Sequence, residues 1–198
     1  MYTIGIDTSH HFLLLVLMDE NKVVDYIQDE CPKLQSEYII VELDNLLKRN
    51  DISLTTVKDI VVTIGPGSYT GVRIGLTVAK ILGSIVGKTV YTLSTLQLYA
   101  GVDNALVLMD ARANRCYVGR YSSGTALVED TVLTNDEIRK LLNENITLIG
   151  DLHLFDKKSY YPNLAQNFFL LKQKWQKVDN IDILTPVYLK SSQEYLRK

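Results

Sequence analysis

The chain has 198 residues, with 21 Lys and Arg against 23 Asp and Glu, so its formal net charge is −2. Hydrophobic residues make up 46% and charged residues 22%, with 11 Gly and 4 Pro, which argues against a disordered, collagen-like or fibrous chain. A chain of this length buries roughly 70% of its unfolded surface, enough for one large domain or two small ones. The near-neutral charge gives no sign of autonomous nucleic-acid binding.

The sequence predicts neither a membrane span nor a secretion signal. The longest apolar run, residues 12–18, is too short to cross a bilayer. No charged segment precedes an apolar stretch with a small-residue cleavage site. Cys31 and Cys116 stand far apart without metal-like spacing, so we expect reduced thiols. We therefore expect a cytoplasmic protein with no membrane partner.

The first half of the chain has the pattern of an α/β unit. Short connections between its first three apolar runs predict an antiparallel meander. The first helical segment has one broad apolar arc that includes Ile39, Ile40 and Leu43, and a second, smaller apolar face at Tyr38 and Val41. In chain order, the periodicity predicts strands over 2–6, 12–18, 23–28, 60–64 and around Val90, and helices over 34–48 and 71–86.

The second half repeats the opening in pattern more than in identity. A strand over 106–110 ends in Asp110, as the first strand runs into Asp7, and chance similarity is the alternative. A true repeat would mark two sub-domains, 1–100 and a smaller 101–198. Thr134 and Glu137 have the spacing of a capping box before a helix. We also expect a helix over 163–175, and we expect Pro186 to confine the segment 184–189 to a strand start or edge.

The most informative segment is the glycine-rich loop at 65–73, Gly-Pro-Gly-Ser-Tyr-Thr-Gly-Val-Arg. It follows a strand and opens a helix, as phosphate-binding loops do. However, a Rossmann fingerprint (G-x-G-x-x-G) has one residue fewer between its second and third glycines than Gly67 and Gly71 have here. A P-loop has Lys directly after its last glycine, and here Gly71 is followed by Val72. The alternative is a tight turn in which the glycines permit unusual dihedral angles and close packing.

The helix after this loop is apolar over an arc of about 220°, whereas a helix packed on one sheet needs about 100°. It therefore needs cover on two sides. Small residues at Gly71, Gly75, Ala79 and Gly83 would let another helix approach closely. A subunit interface and complete burial within this chain are the two explanations.

Few other residues suggest chemistry. Asp7-Thr8-Ser9 at a strand end fits a turn that faces phosphate or a metal, or an Asx turn with only a local role. His10, His11 and His153 have no metal-ligand spacing, so we expect surface or structural histidines. The sequence contains no G-x-S-x-G nucleophile elbow, and nothing in it marks either cysteine as the nucleophile of a Cys/His pair.

Five segments together resemble the signatures of one family, the bacterial TsaB (YeaZ) proteins. The loop GPGSYTGVRIG at 65–75 is similar to that family's GPGSFTGxRIG, and four shorter matches follow the family's order along nearly the whole chain. These are IGIDTS at 4–9, LSTL at 93–96, MDAR at 109–112 and PVYLK at 186–190.

The resemblance implies an α/β fold of the actin/Hsp70-like (ASKHA) class, a duplicated ribonuclease-H-like fold with a reduced second sub-domain. It implies a role in forming N6-threonylcarbamoyladenosine (t6A) at position 37 of tRNAs that read ANN codons. In that family TsaB is a non-catalytic relative of TsaD, the subunit that carries the metal and transfers the threonylcarbamoyl group. TsaB pairs with TsaD, the ATPase TsaE joins them, and tRNA is engaged only through the complex.

The resemblance also suggests roles for individual residues. The pairing, and a homodimer of the lone protein, would use the two N-terminal helices, through Tyr38, Val41, Asn45, Gly71, Gly75, Val78, Ala79 and Leu82. Fold determinants or remnants of a nucleotide site would be Asp7, Thr8, Ser9, Gly65, Gly67, Ser68, Tyr69, Thr70 and Arg73. Gln35 stands where many members have His, so we expect no metal and no catalytic residue. We expect no cofactor on this chain alone, and ATP or ADP only at the junction with partners.

Two enzymatic alternatives stay open. A glycoprotease-like metallopeptidase needs a metal-polarised water or an activated nucleophile, and the sequence suggests ligands for neither. A stand-alone small-molecule kinase of the same fold needs a full second nucleotide-binding half, and about 98 residues are few for it.

Overall fold

The computed structural model describes residues 1–142 and 146–191, and its strands form two sheets. The strands of the first sheet are β1 (Tyr2–Asp7), β2 (Phe12–Met18), β3 (Val23–Glu30), β4 (Val57–Thr63), β5 (Thr89–Leu93) and β11 (Gln176–Lys177). Their order is β11-β5-β4-β1-β2-β3. Strands β1, β4 and β5 run parallel, and β1, β2 and β3 form the predicted antiparallel meander.

The second sheet is smaller. Its strands are β6 (Ala105–Arg112), β7 (Arg115–Ser122), β8 (Thr125–Ala126), β9 (Thr131–Thr134) and β10 (Thr147–Gly150). Strands β6 and β7 form an antiparallel hairpin, as β1 and β2 do, and β10 pairs parallel to β6. The helices are α1 (Gln35–Arg49), α2 (Tyr69–Ser84), α3 (Thr95–Ala100), α4 (Asn135–Leu141) and α5 (Leu164–Leu170). This mixed α/β architecture with a reduced second sheet is the predicted fold class.

Strand β2 is buried along its whole length because both faces of the sheet are covered. Leu14, Val16 and Met18 point into a core shared with α3, α5 and the second sheet. Leu13 and Leu15 point to the other side, into a core shared with α1 and α2. The alternation of side chains along a strand thus explains how one continuous apolar run serves two cores.

Helices α1 and α2 begin and end within two residues of their predicted bounds. The capping box of Thr134 and Glu137 is confirmed at the start of α4. Ile40, predicted on the buried arc of α1, is instead 58% exposed. The predicted helix over 163–175 is too long, because α5 ends at Leu170 and a 3-10 turn follows. The segment 184–189 forms no strand, and its Val187 N–H donates to the C=O of Ile64, just after β4 (2.7 Å).

The chain returns to the first sheet after the second is complete. Helix α5 packs on β2 and β3, and β11 extends the first sheet by pairing with β5. The predicted boundary near residue 100 lies between β5 and β6. However, α5 and β11 belong to the predicted second sub-domain, 101–198, and pack on the first sheet. None of the helices in 1–142 and 146–191 has the length and apolar content to cross a membrane.

Candidate functional site

A cleft of ≈ 730 Å³ lies between the two sheets. On one side are the loop after β1, the start of α1 and the glycine loop; on the other are the ends of β6 and β10. Carboxyl ends of parallel strands commonly carry the binding site of an open α/β sheet. Ser9 and the glycine loop line this cleft.

The Asp7-Thr8-Ser9 segment forms an Asx turn at the end of β1. The Asp7 carboxylate is fully buried, and its Oδ1 accepts hydrogen bonds from Ser9 N–H (3.1 Å), Ser9 Oγ (2.5 Å) and Thr63 Oγ1 (2.5 Å). Its Oδ2 is buried and has no hydrogen-bond partner in the described part of the chain. The turn predicted as one of two alternatives is therefore present, and three neighbouring donors hold the carboxylate in place.

The glycine loop packs directly on this turn. Ser68 N–H donates to Ser9 C=O (2.7 Å), and Gly71 N–H donates to Ser68 Oγ (3.2 Å) at the start of α2. A Cβ atom at Gly67 would lie 2.5 Å from Ser9 O, and one at Gly71 would lie 2.1 Å from Thr8 O. The glycines are needed for this close approach. Since these N–H groups bond within the chain, they do not fit a phosphate cradle of the chain's own.

Tyr69 and Arg73 lie outside this contact and bind the C-terminal segment. Arg73 Nε donates to Tyr188 Oη (2.7 Å), and the guanidinium lies 4.0 Å from the centroid of the Tyr69 ring. The rings of Tyr69 and Tyr188 stack with centroids 5.1 Å apart. Gly65, at φ +102°, approaches Val187, because a Cβ there would lie 2.7 Å from the Val187 carbonyl oxygen. Thr70 is exposed.

The structure brings together three side chains that the spacing of the sequence did not connect. The ligand atoms of His10, His11 and Asp151 all lie within 4.8 Å of one another, and His10 Nε2 lies 3.0 Å from Asp151 Oδ2. Asp151 is separated from His10 by 141 residues. His153 is exposed and bonds Ser159 instead, with 3.0 Å between Nδ1 and Oγ.

Within this cluster, the surroundings lower the pKa of the Asp151 carboxyl and of the His11 imidazole. Burial alone would raise the pKa of Asp151, but the hydrogen bond and charge of His10, with the N–H of Asp110, outweigh it and hold that pKa well below its usual range. Burial, followed by the neighbouring His10, lowers the pKa of His11. Burial also raises the pKa of Tyr99, with the charges of Asp7 and Asp151 adding to the effect.

The predicted interface residues divide into two groups. Tyr38, Val41 and Asn45 are exposed on α1, as a surface for a partner requires. The five predicted residues of α2 are buried against the chain's own first sheet: Gly71, Gly75, Val78, Ala79 and Leu82. Their prediction as a partner surface is corrected, because the small side chains let α2 approach β1 and the Asp7-Thr8-Ser9 turn.

The second side of α2 is covered by the C-terminal segment of the same chain. Val178, Ile181 and Leu184 pack against the core under α1 and α2. A Cβ atom at Gly83 would lie 2.2 Å from Ile181 Cδ1, and Lys80 Nζ donates to Asp182 C=O (3.1 Å). Much of the wide apolar arc of α2 is thus buried within the chain.

Apolar side chains nevertheless stay exposed on α1 and α2. Tyr38 is 45% exposed and Val41 is 55% exposed on α1, whereas Ile81 is 47% exposed on α2. Ile85, which follows α2 directly, is 80% exposed. The two helices lie in contact and pack on the same core of the first sheet. We call Tyr38, Val41, Ile81 and Ile85 the helical apolar face.

Comparison with known proteins identifies the family. The family model described as TsaD, tRNA N6-adenosine threonylcarbamoyltransferase, matches residues 29–187. The protein named tRNA threonylcarbamoyladenosine biosynthesis protein TsaB in Bacillus subtilis is 33% identical over 137 residues, which are 67% of this chain and 60% of that protein. The chain belongs to the TsaB/YeaZ branch of this family. An uncharacterized Mycoplasma pneumoniae relative, the MG208 homolog, is 26% identical over 96% of this chain and 95% of its own length.

Solved structures confirm the TsaB-type fold. YeaZ from Pseudomonas aeruginosa superposes with a TM-score of 0.75 at 19% identity, covering 95% of this chain and 99% of that one. The activator of 2-hydroxyisocaproyl-CoA dehydratase from Clostridium difficile, solved with bound ADPNP, has a TM-score of 0.51 at 10% identity, covering 87% and 95%. Both likenesses concern the fold alone, which is the predicted actin-like class.

Proposed function

We propose that this chain acts in the biosynthesis of t6A as a non-catalytic subunit that pairs with a TsaD-like catalytic subunit. One observation carries the proposal: a chain of the TsaB/YeaZ family leaves the helical apolar face exposed. Exposed apolar side chains grouped on neighbouring helices are typical of a surface that binds another protein. A TsaE-like ATPase joins the pair, ATP or ADP binds at the junction between subunits, and tRNA contacts the assembled complex.

The non-catalytic role is supported by the glycine loop. Its Ser68 N–H bonds Ser9 C=O in the turn after β1, and its Gly71 N–H bonds the Ser68 hydroxyl, so both groups already have partners within the chain. We expect no threonylcarbamoyl transfer to tRNA by the lone protein, and transfer when a TsaD-like subunit, a TsaE-like ATPase and ATP are added. Modification of tRNA by the lone protein at the rate of the complex would contradict this role.

The pairing is tested by placing a charge in the helical apolar face. Val41→Glu should weaken binding to the TsaD-like subunit of the same organism at least tenfold, because pairing would bury the carboxylate away from water. Isothermal titration calorimetry measures the affinity, and thermal unfolding checks that the variant is folded. Val128→Glu is the matched control, since Val128 is 58% exposed outside the two helices. Equal affinities of the two variants would remove α1 from the interface.

We propose that the same face forms a homodimer when no partner is present. An apolar face that the partner leaves uncovered tends to pair with its own copy, and two-fold dimers are the commonest assembly. Sedimentation should show a dimer of the lone wild-type protein and a shift towards monomer in Val41→Glu. A monomeric wild-type protein at tens of micromolar would contradict the homodimer without affecting the pairing.

A further inference from the structure

We propose that His10, His11 and Asp151 form a binding site for a divalent transition-metal ion of the zinc class. Their ligand atoms lie within 4.8 Å of one another. Both histidines lie in the loop between β1 and β2 of the first sheet, and Asp151 follows β10 of the second sheet. A metal bound here would link the two sheets across the cleft. The site is independent of the proposed role in t6A synthesis, and it replaces the sequence-based expectation that these histidines bind no metal.

The donor set matches this class of ion. Two imidazoles and one carboxylate are ligands that zinc and its neighbours in the first transition row accept, whereas Mg²⁺ and Ca²⁺ prefer oxygen ligands alone. Ligand atoms about 2.0–2.1 Å from a tetrahedral zinc lie about 3.3 Å from each other. His10 Nε2 and Asp151 Oδ2 are 3.0 Å apart, and the three ligand atoms lie within 4.8 Å of one another, so small side-chain movements would bring them to these distances.

Neighbouring groups hold the ligands in position. Asp110 N–H donates to Asp151 Oδ2 (2.7 Å), and the Tyr161 hydroxyl donates to Asp151 Oδ1. Gln35 Nε2 donates to the backbone carbonyl of His10 (3.0 Å), which ties the loop to α1. Hydrogen bonds that orient the ligands in this way are typical of metal sites, where they fix the geometry before the ion binds. Gln35 thus positions a candidate ligand.

The competing explanation is a hydrogen-bonded pair without a metal. His10 would then donate its Nε2–H to Asp151, and His11 would pack on the rings of His10, Phe12 and Tyr161. This explanation predicts that the protein binds no zinc at the cluster. The two explanations therefore differ in an equilibrium that can be measured without any assay of activity.

The experiment titrates the full-length protein with Zn²⁺ in competition with a chromophoric chelator. We expect one tightly bound ion per chain, and an affinity at least tenfold lower in His11→Gln and in Asp151→Asn. His153→Gln is the matched control, because His153 lies at the same cleft but is exposed and bonds Ser159. The absorption spectrum of bound Co²⁺ should report nitrogen and oxygen ligands in the wild type and should change in His11→Gln.

Thermal unfolding tests the link between the sheets. A ligand that binds only the folded state raises the unfolding temperature, so Zn²⁺ should raise it in the wild type and in His153→Gln, but not in His11→Gln. If Asp151→Asn does not fold, His11→Gln decides, since its side chain is 26% exposed and its loss leaves the His10–Asp151 contact in place. The proposal is overturned by an absence of saturable zinc binding, or by a loss of affinity in His153→Gln equal to that in His11→Gln.

Discussion

Gly75 holds α2 against Thr8 at the end of β1. The Gly75 N–H donates to Thr8 Oγ1 (2.9 Å), and the same hydroxyl donates to Gly71 C=O (2.7 Å). A Cβ atom at position 75 would lie 2.8 Å from this oxygen. The small residues of α2 therefore permit close packing within the chain, and substitutions on this face act first on folding.

Ala79→Phe should lower the free energy of unfolding by about 1–3 kcal/mol or more, because overpacking a close contact strains its neighbours. Ala79 is completely buried against the first sheet. Urea denaturation measures the change. Ser84→Phe, an equally large side chain at an exposed position of the same helix, should leave stability nearly unchanged. An Ala79→Phe protein of wild-type stability would contradict the observed packing.

The periodicity of α2 was sufficient to predict that the helix needs cover on two sides, but insufficient to predict what provides the cover. Ile181 and Leu184 lie far along the chain from α2, in a segment without regular structure, and no local pattern links them to Gly83. By contrast, strands β1 to β6 and helices α1 and α2 were predicted within a few residues of their bounds. Local patterns therefore predicted the elements and not the contacts between distant segments.

Ile181→Ala should lower the free energy of unfolding by about 1–2 kcal/mol, because the isoleucine is partly buried on Gly83 and Val90. Its matched control is Ile183→Ala, two residues further on, where the side chain is 74% exposed. Thermal or urea unfolding of both variants checks the prediction. Equal stability of the two variants would mean that the C-terminal segment does not cover α2 in solution.

Asp25→Asn should make the free energy of unfolding depend less on pH in the acid range than it does in the wild type. The hydrogen bond from Arg49, with a smaller contribution from Asn50, lowers the pKa of Asp25. The ionised group therefore stabilises the fold above its unfolded pKa of about 3.9, and this stability is lost as the pH falls through the lower folded pKa.

The variant should be less stable than the wild type at pH 7 by about 1 kcal/mol, and the difference should shrink below pH 4. Urea unfolding at a series of pH values measures it. Asp44→Asn is the control, because the pair of Asp44 and Lys48 is a more exposed contact along one helix. A constant difference between wild type and Asp25→Asn at every pH would show that the charge plays no part.

The two thiols should differ in reactivity. Burial raises the pKa of Cys116 to about 12, and the side chain is inaccessible, whereas Cys31 is partly exposed with a pKa raised less. A thiol-specific reagent at pH 8 should modify at most one cysteine per folded chain and both in urea. Cys31→Ser should abolish the reaction of the folded protein. Rapid labelling of Cys116 in the native state would contradict the packing of β7.

The cluster at the cleft could not be predicted from the sequence, since metal-ligand spacing is a local pattern and Asp151 comes from the other sheet. The Asx turn at Asp7 and the glycine loop were predictable because their residue types determine their own backbone. What could have pointed to Asp151 is the internal repeat: the parallel strand β10 ends beside Asp110, the counterpart of Asp7. Such a juxtaposition becomes visible only when the strand order of the second sheet is known.

The pairing of β11 with β5 affects how the protein is made. The Thr92 hydroxyl donates to the backbone carbonyl of Gln176, its strand partner, which lies 84 positions later in the chain. During translation the edge of β5 is thus synthesised long before the strand that covers it, and an uncovered edge can pair with another chain. Contacts of such long sequence separation also form slowly. Newly made chains therefore pass through an interval in which aggregation competes with completion of the first sheet.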